Sequence, residues 1–235
     1  MLIKNMNWMQ VEEYLKHDDR VLLPLGSTEQ HGYLSLMTDA ILAQKVSDDA
    51  AEPLGVPVMP VLPYGMAPYF CAYPGTVSLK PSTYFAIIRD LLDNLYRSGF
   101  RRILIVNGHG GNSPALGEIQ DWLMNHDDAK VKLHNWWAAP KTMGKVTSVD
   151  PVASHASWME NFPWTRLANV VMPTEQKTMI DLALNRQLSA SAVRKYVGDG
   201  NYGGHYSKDD EHMQAIWQTG VEETRYEIEH NWASS

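Results

Sequence analysis

Short apolar segments alternate along this chain with segments of helical periodicity, and this alternation is the strongest constraint on its fold. Apolar runs of four to eight residues that end at glycine or proline are typical of buried strands in a parallel sheet. Strands joined through helices form right-handed crossovers, which place helices on both faces of the sheet. We therefore expect a three-layer α/β/α sandwich with a mainly parallel central sheet, formed by a single domain over residues 1–235. The predicted strands are 21–26, 56–62, 103–106 and 131–137, and the predicted helices are 39–51, 81–98, 113–126, 174–186 and 209–230.

The composition argues against several classes of protein. A formal net charge of −7 does not suit a nucleic-acid-binding face, which needs clustered positive charge. No apolar run approaches the ~20 residues that cross a bilayer, and the N-terminal residues lack the apolar core of a signal peptide. With a single cysteine, Cys71, no intrachain disulfide can form. These features predict a cytoplasmic protein with no nucleic-acid or membrane partner.

Ionisable side chains follow two of the predicted strands, at the edge of the sheet where ligands bind in parallel α/β folds. Residues 26–32 (Gly-Ser-Thr-Glu-Gln-His-Gly) and then Asp39 follow the first strand, and residues 107–112 (Asn-Gly-His-Gly-Gly-Asn) follow the third. Glu29 and His31 point to the same side if the chain is extended there. Carboxylate oxygens and imidazole nitrogens without thiolates suit a catalytic Zn²⁺ or Mn²⁺ site. The alternative is an ordinary glycine turn that binds no metal.

Three motifs resemble those of the creatininase (creatinine amidohydrolase) family and occur in the family's order. They are residues 26–39 (G-S-T-E-Q-H-G…T-D), 107–112 (N-G-H-G-G-N) and 155–161 (H-A-S-W-M-E-N), and the resemblance spans roughly residues 20–165. The chain is identified as a member of the branch that carries G-H-G-G-N, and not as creatininase itself.

This resemblance implies an amidohydrolase-like enzyme that holds two divalent ions, Zn²⁺ or Mn²⁺, bridged by the carboxylate of Asp39. His155 would handle the proton at the bond that is cleaved. Members of the family are typically oligomeric and often hexameric, so the resemblance also implies a homo-oligomer. The remaining ligands would be Glu29 and His109 for one ion, and His31 and Glu160 for the other.

The sequence departs from the family pattern at three places. Residues 33–37 replace a family segment that has a second histidine and Leu-Pro, and they are one residue shorter, which alters a loop expected to shape the pocket. Ser157 and Asn161 replace the glycine and threonine of the third motif. Gly111 stands where creatininase itself carries a carboxylate, and for this reason the fifth ligand is assigned to Glu160.

Candidate substrate-binding residues lie close to these motifs. Glycines let backbone N–H groups approach a substrate closely, and aromatic residues after the last predicted strand can face the same edge of the sheet. The alternative is that most of the aromatic side chains belong to the core or to subunit contacts, and that the histidine lies in a surface loop. The candidates are Gly110, Gly111, Tyr73, Trp136, Trp137 and His205.

The predicted activity is hydrolysis of a small, polar, cyclic substrate at an amide, lactam or formamide C–N bond, by a hydroxide that the two ions activate. An alternative keeps the same site but opens a C–C bond of a cyclic diketone derived from an inositol or a sugar. Two further alternatives are a peptide-processing protease and a metal-binding scaffold without catalysis. Release of ammonia, amine or formate would indicate the first activity, and a linear keto acid without nitrogen release would indicate the second.

Overall fold

A central sheet of three parallel strands organises the protein. The computed structural model describes residues 2–233. The strands are β1 (Arg20–Leu25), β2 (Arg102–Asn107) and β3 (Lys130–Asn135), in the order β1-β2-β3. Their registers align the last residues of the three strands. The segments that follow β1 and β2 therefore begin at the same edge of the sheet.

Helices cover both faces of this sheet. The α-helices within residues 2–233 are α1 (Trp8–Tyr14), α2 (Thr38–Ala51), α3 (Pro81–Ser98), α4 (Ala115–Leu123), α5 (Pro140–Val149), α6 (Leu182–Asn185), α7 (Ala190–Val197) and α8 (Asp210–Glu229). Because strand side chains alternate between the two faces, Leu22 packs in a cluster with α2, α5 and α8, whereas Val21 and Leu23 pack against α1, α3 and α4. The predicted α/β/α sandwich with a parallel sheet is thereby confirmed. None of these helices is long and apolar enough to span a membrane.

The predicted strand at 56–62 is wrong as a regular strand. This segment runs beside β1 but makes only isolated parallel bridges, such as those of Leu22 with Val58 and of Leu25 with Leu62. Pro57 in this segment and Pro24 in β1 have no backbone N–H to donate, so the hydrogen-bond ladder between the two cannot continue along the segment.

The predicted helix at 174–186 is also wrong for most of its length, and only α6 forms there. The Asp181 side chain accepts hydrogen bonds from the N–H groups of Ala183 and Leu184, which starts a helix at residue 182. Lys177 instead pairs with Gly204 through two backbone hydrogen bonds, at 3.0 and 2.9 Å. This antiparallel pairing holds the earlier part of the segment in an extended conformation.

The N-terminus of α5 is anchored by a carboxylate from α8. Glu223 accepts hydrogen bonds from the backbone N–H groups of Lys141 and Thr142 and from the Thr142 hydroxyl, at 2.9, 2.7 and 2.7 Å. The first N–H groups of a helix have no partner inside it, so this carboxylate satisfies donors that would otherwise be unpaired. Helices α5 and α8 are thus held together, and α8 packs at Gly220 against the ring of Trp136, which follows β3.

Candidate metal centre

The N-terminus of α2 reaches the ends of β1 and β2 because a glycine follows each strand. A Cβ at Gly26 would lie 2.4 Å from Ala40 Cα, and one at Gly108 would lie 2.5 Å from the carbonyl oxygen of Asp39. A side chain at either position would push α2 away from the sheet. The two glycines therefore allow Asp39, in the first turn of α2, to lie beside the residues that follow both strands.

Five ionisable side chains form two groups that share Asp39. In the first group, Asp39 Oδ2 lies 2.9 Å and Glu29 Oε1 lies 3.3 Å from His109 Nδ1. In the second group, Asp39 Oδ1 lies 3.1 Å and Glu160 Oε2 lies 3.9 Å from His31 Nε2. Within each group the candidate ligand atoms all lie within 4.8 Å of one another. Asp39 offers one oxygen to each group, an arrangement suited to a carboxylate between two cations.

His155 lies at the open side of these groups. Its Nδ1 is 3.8 Å from Glu29 Oε1, and its side chain is 16% exposed against 1% for Glu29. Its ring centroid is 4.5 Å from that of His31, and together the three residues form a further group of candidate ligand atoms. Burial, and then the charge of His31, lower the pKa of the His155 imidazole well below its usual value, so this ring is neutral near pH 7.

Backbone carbonyls determine which nitrogen of each remaining imidazole faces the centre. His109 Nε2 lies 3.0 Å from the carbonyl oxygen of Met66, and His31 Nδ1 lies 3.2 Å from that of Glu29. Since a carbonyl can only accept, these nitrogens carry hydrogens. His109 Nδ1 and His31 Nε2 are then directed to the carboxylates. Metal-binding histidines are held in this way, by a hydrogen bond from the nitrogen that does not bind the metal.

Burial and mutual charge shift the pKa values in the centre. Burial raises the pKa of Glu29, and it raises the pKa of Glu160 to about 7. Burial alone would lower the pKa of His31, but the neighbouring carboxylates, Asp39 first, outweigh it and raise this pKa to about 10. The carboxylates, Glu29 first, also hold the pKa of His109 well above its usual value against the effect of burial. In the metal-free protein the two imidazolium groups therefore offset negative charge on the carboxylates, that of Asp39 first.

The donor set fits divalent cations. Glu29 Oε2 is buried and has no hydrogen-bond partner within residues 2–233, although buried carboxylate oxygens are normally bonded. Carboxylate oxygens combined with imidazole nitrogens suit Zn²⁺ or Mn²⁺. A cation beside Glu29 would satisfy this oxygen and would replace the protons on the imidazoles.

Cation binding should release protons, because an imidazole must be deprotonated to become a ligand. At pH 7 the raised pKa values of His31 and His109 keep both rings protonated in the metal-free protein. We therefore expect the affinity for zinc to increase with pH, by roughly tenfold per pH unit for each proton released. Titration calorimetry at pH 7 in two buffers of different ionisation enthalpy measures these protons. His212→Gln, at an exposed position of α8, should match the wild type, whereas equal heats in both buffers would contradict the expected release.

Position 111 has no room for a side chain, and Glu160 supplies a carboxylate from the third motif. A Cβ at Gly111 would lie 2.1 Å from the Met66 carbonyl oxygen and 2.4 Å from His109 Nε2. Glu160 Oε2 accepts the backbone N–H of Ala156 at 2.6 Å, which fixes the carboxylate. Ala156 has φ of 58°, a left-handed conformation that costs a residue with a Cβ roughly 1–2 kcal/mol. The segment that presents Glu160 is therefore held in a strained conformation.

Besides Gly111, three of the predicted substrate-binding residues lie at the centre. Trp136 and Trp137 line a narrow cavity together with Asp39 and Glu160. Both indole N–H groups are buried and have no hydrogen-bond partner in the described part of the chain. A Cβ at Gly110 would lie 3.6 Å from the Trp137 ring, so this glycine lies at the same edge.

Tyr73 and His205 have their polar contacts elsewhere. The Tyr73 hydroxyl donates to the carbonyl oxygen of Gly198 at 3.2 Å, and the ring packs on Phe70. His205 Nε2 lies 3.8 Å from Asp150 Oδ2. These polar contacts do not join either residue to the centre, so substrate binding by Tyr73 or His205 stays a prediction.

Sequence reasoning missed three residues that hold the ionisable groups. Ser27 Oγ donates to Asp39 Oδ2 at 2.8 Å, Gln30 contacts the His155 ring, and Phe70 stacks on that ring at a centroid distance of 4.7 Å. The position of Ser27 and Gln30 inside the first motif was a signal that could have found them. No pattern in the sequence marks Phe70.

The fold and the centre define a class of α/β protein with a buried carboxylate–imidazole site at the ends of parallel strands. Residues 4–228 match the family described as Creatininase: Creatinine amidohydrolase, and the chain belongs to the creatininase family. This confirms the resemblance carried by the three motifs. A crystal structure of creatinine amidohydrolase (creatininase) shares the fold, with a TM-score of 0.80 and 21% identity over 97% of this chain and 96% of that chain.

Curated relatives of the chain act on different substrates. Creatinine amidohydrolase of Pseudomonas putida is 30% identical over 164 residues, 64% of this chain and 63% of that protein. The 3-dehydro-scyllo-inosose hydrolase of Thermotoga maritima is 31% identical over 109 residues, 46% of this chain and 35% of that protein. A mycofactocin precursor peptide peptidase of Mycolicibacterium smegmatis is 42% identical over 106 residues, 41% of each chain. The chain thus matches less than two thirds of the length of each relative.

Proposed function

We propose that this chain is a metal-dependent hydrolase that cleaves an amide, lactam or formamide C–N bond in a small, polar, cyclic substrate. The observation that carries this proposal is the pair of ligand groups that share Asp39. A single structural zinc site would need four ligands around one ion, whereas two overlapping groups of three leave positions open for water and substrate. Family membership supports hydrolysis as the type of reaction.

In this proposal the protein residues have distinct roles. Glu29 and His109 would hold one ion, His31 and Glu160 would hold the other, and the carboxylate of Asp39 is available to both. Two divalent ions, when bound, polarise a carbonyl oxygen and lower the pKa of water. His155 moves a proton at Nδ1 to or from the reacting group, because it is the imidazole on the open side. The N–H groups of Gly110 and Gly111 and the indoles of Trp136 and Trp137 orient the substrate.

We propose zinc or manganese as the ions, since both suit the donor set. Solved creatininases include one described as a Zn-Zn type and one described as a manganese form. We also propose a cytoplasmic homo-oligomer. Exposed apolar side chains between residues 167 and 184 support association, because subunit contact would remove them from water.

A second candidate function is hydrolysis of a C–C bond in a cyclic diketone. It is favoured by the 31% identity with the 3-dehydro-scyllo-inosose hydrolase and by the altered segment 33–37, in which the Leu36 carbonyl accepts the backbone N–H of Glu29 at 2.9 Å. The third candidate is peptide processing, favoured by the 42% identity with the mycofactocin precursor peptide peptidase over 106 residues. All three activities would use the same ionisable groups.

Product analysis separates these functions. Zinc- or manganese-loaded protein is incubated with a panel of lactams, cyclic guanidines, formamides, cyclic diketones and short peptides, and products are identified by mass spectrometry and ammonia assay. We expect a C–N substrate to release ammonia, amine or formate, and EDTA to stop the release. Ring-opened keto acid without nitrogen release would favour the second function, and cleavage of the short peptides alone would favour the third. Metal-loaded protein that turns over none of these compounds would favour a scaffold.

A further inference from the structure

Gln30 lies between Glu29 and His31 in the sequence. It belongs to none of the groups of candidate ligand atoms within residues 2–233. The residue is buried, with 5% of its surface exposed. Its backbone N–H donates to Thr76 Oγ1 at 3.0 Å, and its side chain lies against the imidazole of His155. These contacts are those of a residue that holds another side chain in place.

Two hydrogen bonds fix the orientation of the Gln30 amide. Its Oε1 accepts the N–H of Gly32 at 3.0 Å, and its Nε2 donates to the carbonyl oxygen of Gly200 at 3.2 Å. Reversing the amide would set its NH₂ group against an N–H and its oxygen against a carbonyl. A Cβ at Gly200, where φ is 101°, would lie 1.7 Å from Oε1, so only glycine fits at this position. The amide therefore has one orientation.

The remaining hydrogen of Gln30 Nε2 is available to His155, whose Nε2 lies 2.8 Å away. Because an amide NH₂ group can only donate, Nε2 of the neutral imidazole accepts, and the ring hydrogen lies on Nδ1. Nδ1 is the nitrogen on the side of the centre, 3.8 Å from Glu29 Oε1. The main-chain oxygen of Gln30 lies 3.0 Å from the same Nε2 and accepts whenever that nitrogen carries a hydrogen.

From these contacts we propose that Gln30 is a positioning residue, whose amide orients the His155 ring and places the hydrogen of the neutral imidazole on Nδ1. The inference rests on the proposed function, because it concerns the ring to which we assign proton transfer. Phe70 stacks on this ring with an angle of 25° between the ring planes. An apolar ring restricts the tilt of an imidazole but cannot select its tautomer, so that selection falls to Gln30.

The test observes the tautomer in zinc-loaded protein labelled with nitrogen-15 in its histidines. Long-range nitrogen–proton correlation spectra distinguish a ring nitrogen that carries a hydrogen from one that does not, and His155→Ala identifies the His155 signals by their loss. In the wild type we expect the hydrogen on Nδ1. In Gln30→Glu the carboxylate can only accept, so the hydrogen should move to Nε2. In Gln30→Met, which has a side chain of similar length without polar hydrogens, the preference for Nδ1 should be lost.

Control measurements separate a change of tautomer from a loss of structure. Gln187→Glu introduces the same charge at an exposed position and should leave the hydrogen on Nδ1. Zinc content and thermal unfolding identify the variants that retain the centre. A wild-type hydrogen on Nε2, a tautomer unchanged in both Gln30 variants, or a His155 nitrogen bound to zinc would overturn the proposal. The readout needs no substrate, so a failure of the proposed hydrolysis and a failure of this inference are observed separately.

Discussion

Asp39→Asn should remove both bound ions and lower hydrolysis by more than about 10²-fold. The amide keeps the size of the side chain and can still accept the hydrogen bond from Ser27, but it brings no negative charge to either ligand group. Losing a residue that merely supports a metal ligand already costs roughly 10–100-fold in affinity or activity, and Asp39 belongs to both groups. Metal content after gel filtration, and turnover of the substrate found by product analysis, measure the effect.

Asp48→Asn is the matched control for this substitution. It makes the same change in the same helix, at a carboxylate that pairs with Gln44 at 2.7 Å and lies outside the ligand groups. This variant should retain both ions and the wild-type rate. If the Asp39→Asn protein kept full metal content and full turnover, the proposed role of the Asp39 carboxylate would be rejected.

His155→Ala should leave both ions bound and lower kcat by about 10²–10⁴-fold, the usual effect of removing a general acid or base. The ring lies at the open side of the centre, and both groups that share Asp39 are complete without it. Metal content and steady-state kinetics measured on the same preparation separate binding from chemistry. His212→Ala, at an exposed position of α8, should leave both values unchanged.

Two outcomes would reject the proton-transfer role of His155. Unchanged turnover would mean that another group, or water, transfers the proton. If the variant lost one ion and also lost activity, His155 would be identified as a metal ligand, in the group that it forms with Glu29 and His31.

The fold was predictable where the chain carries a strong periodic or apolar signal. The α3 helix begins at Pro81 and ends before Gly99, and both residues are recognisable in the sequence. The segment 56–62 has the apolar residues of a strand, but two missing N–H donors interrupt its pairing with β1. At 174–186 local capping and the pairing of Lys177 with Gly204 override the helical pattern. Tertiary contacts of this kind are not visible in the periodicity.

The position of the centre was predictable because both motifs follow strands that end at one edge of the sheet. Gly26 and Gly108, which allow α2 to approach the sheet, are visible in the sequence. The close approach of Asp39 to both strand ends is not. The bond between Ala156 and Glu160, and the contact between Gln30 and His155, join residues from separate segments. Contacts of this kind arise from the tertiary fold and leave no pattern in the sequence.

The proposed mechanism depends on two cations, one on either side of Asp39. The most direct measurement is anomalous scattering at the zinc and manganese edges from crystals grown with each metal. We expect two peaks about 3.5–4 Å apart, one beside Glu29 and His109 and the other beside His31 and Glu160. Crystals that bind neither metal at these residues, or that show a single peak without contact to Asp39, would contradict the claim.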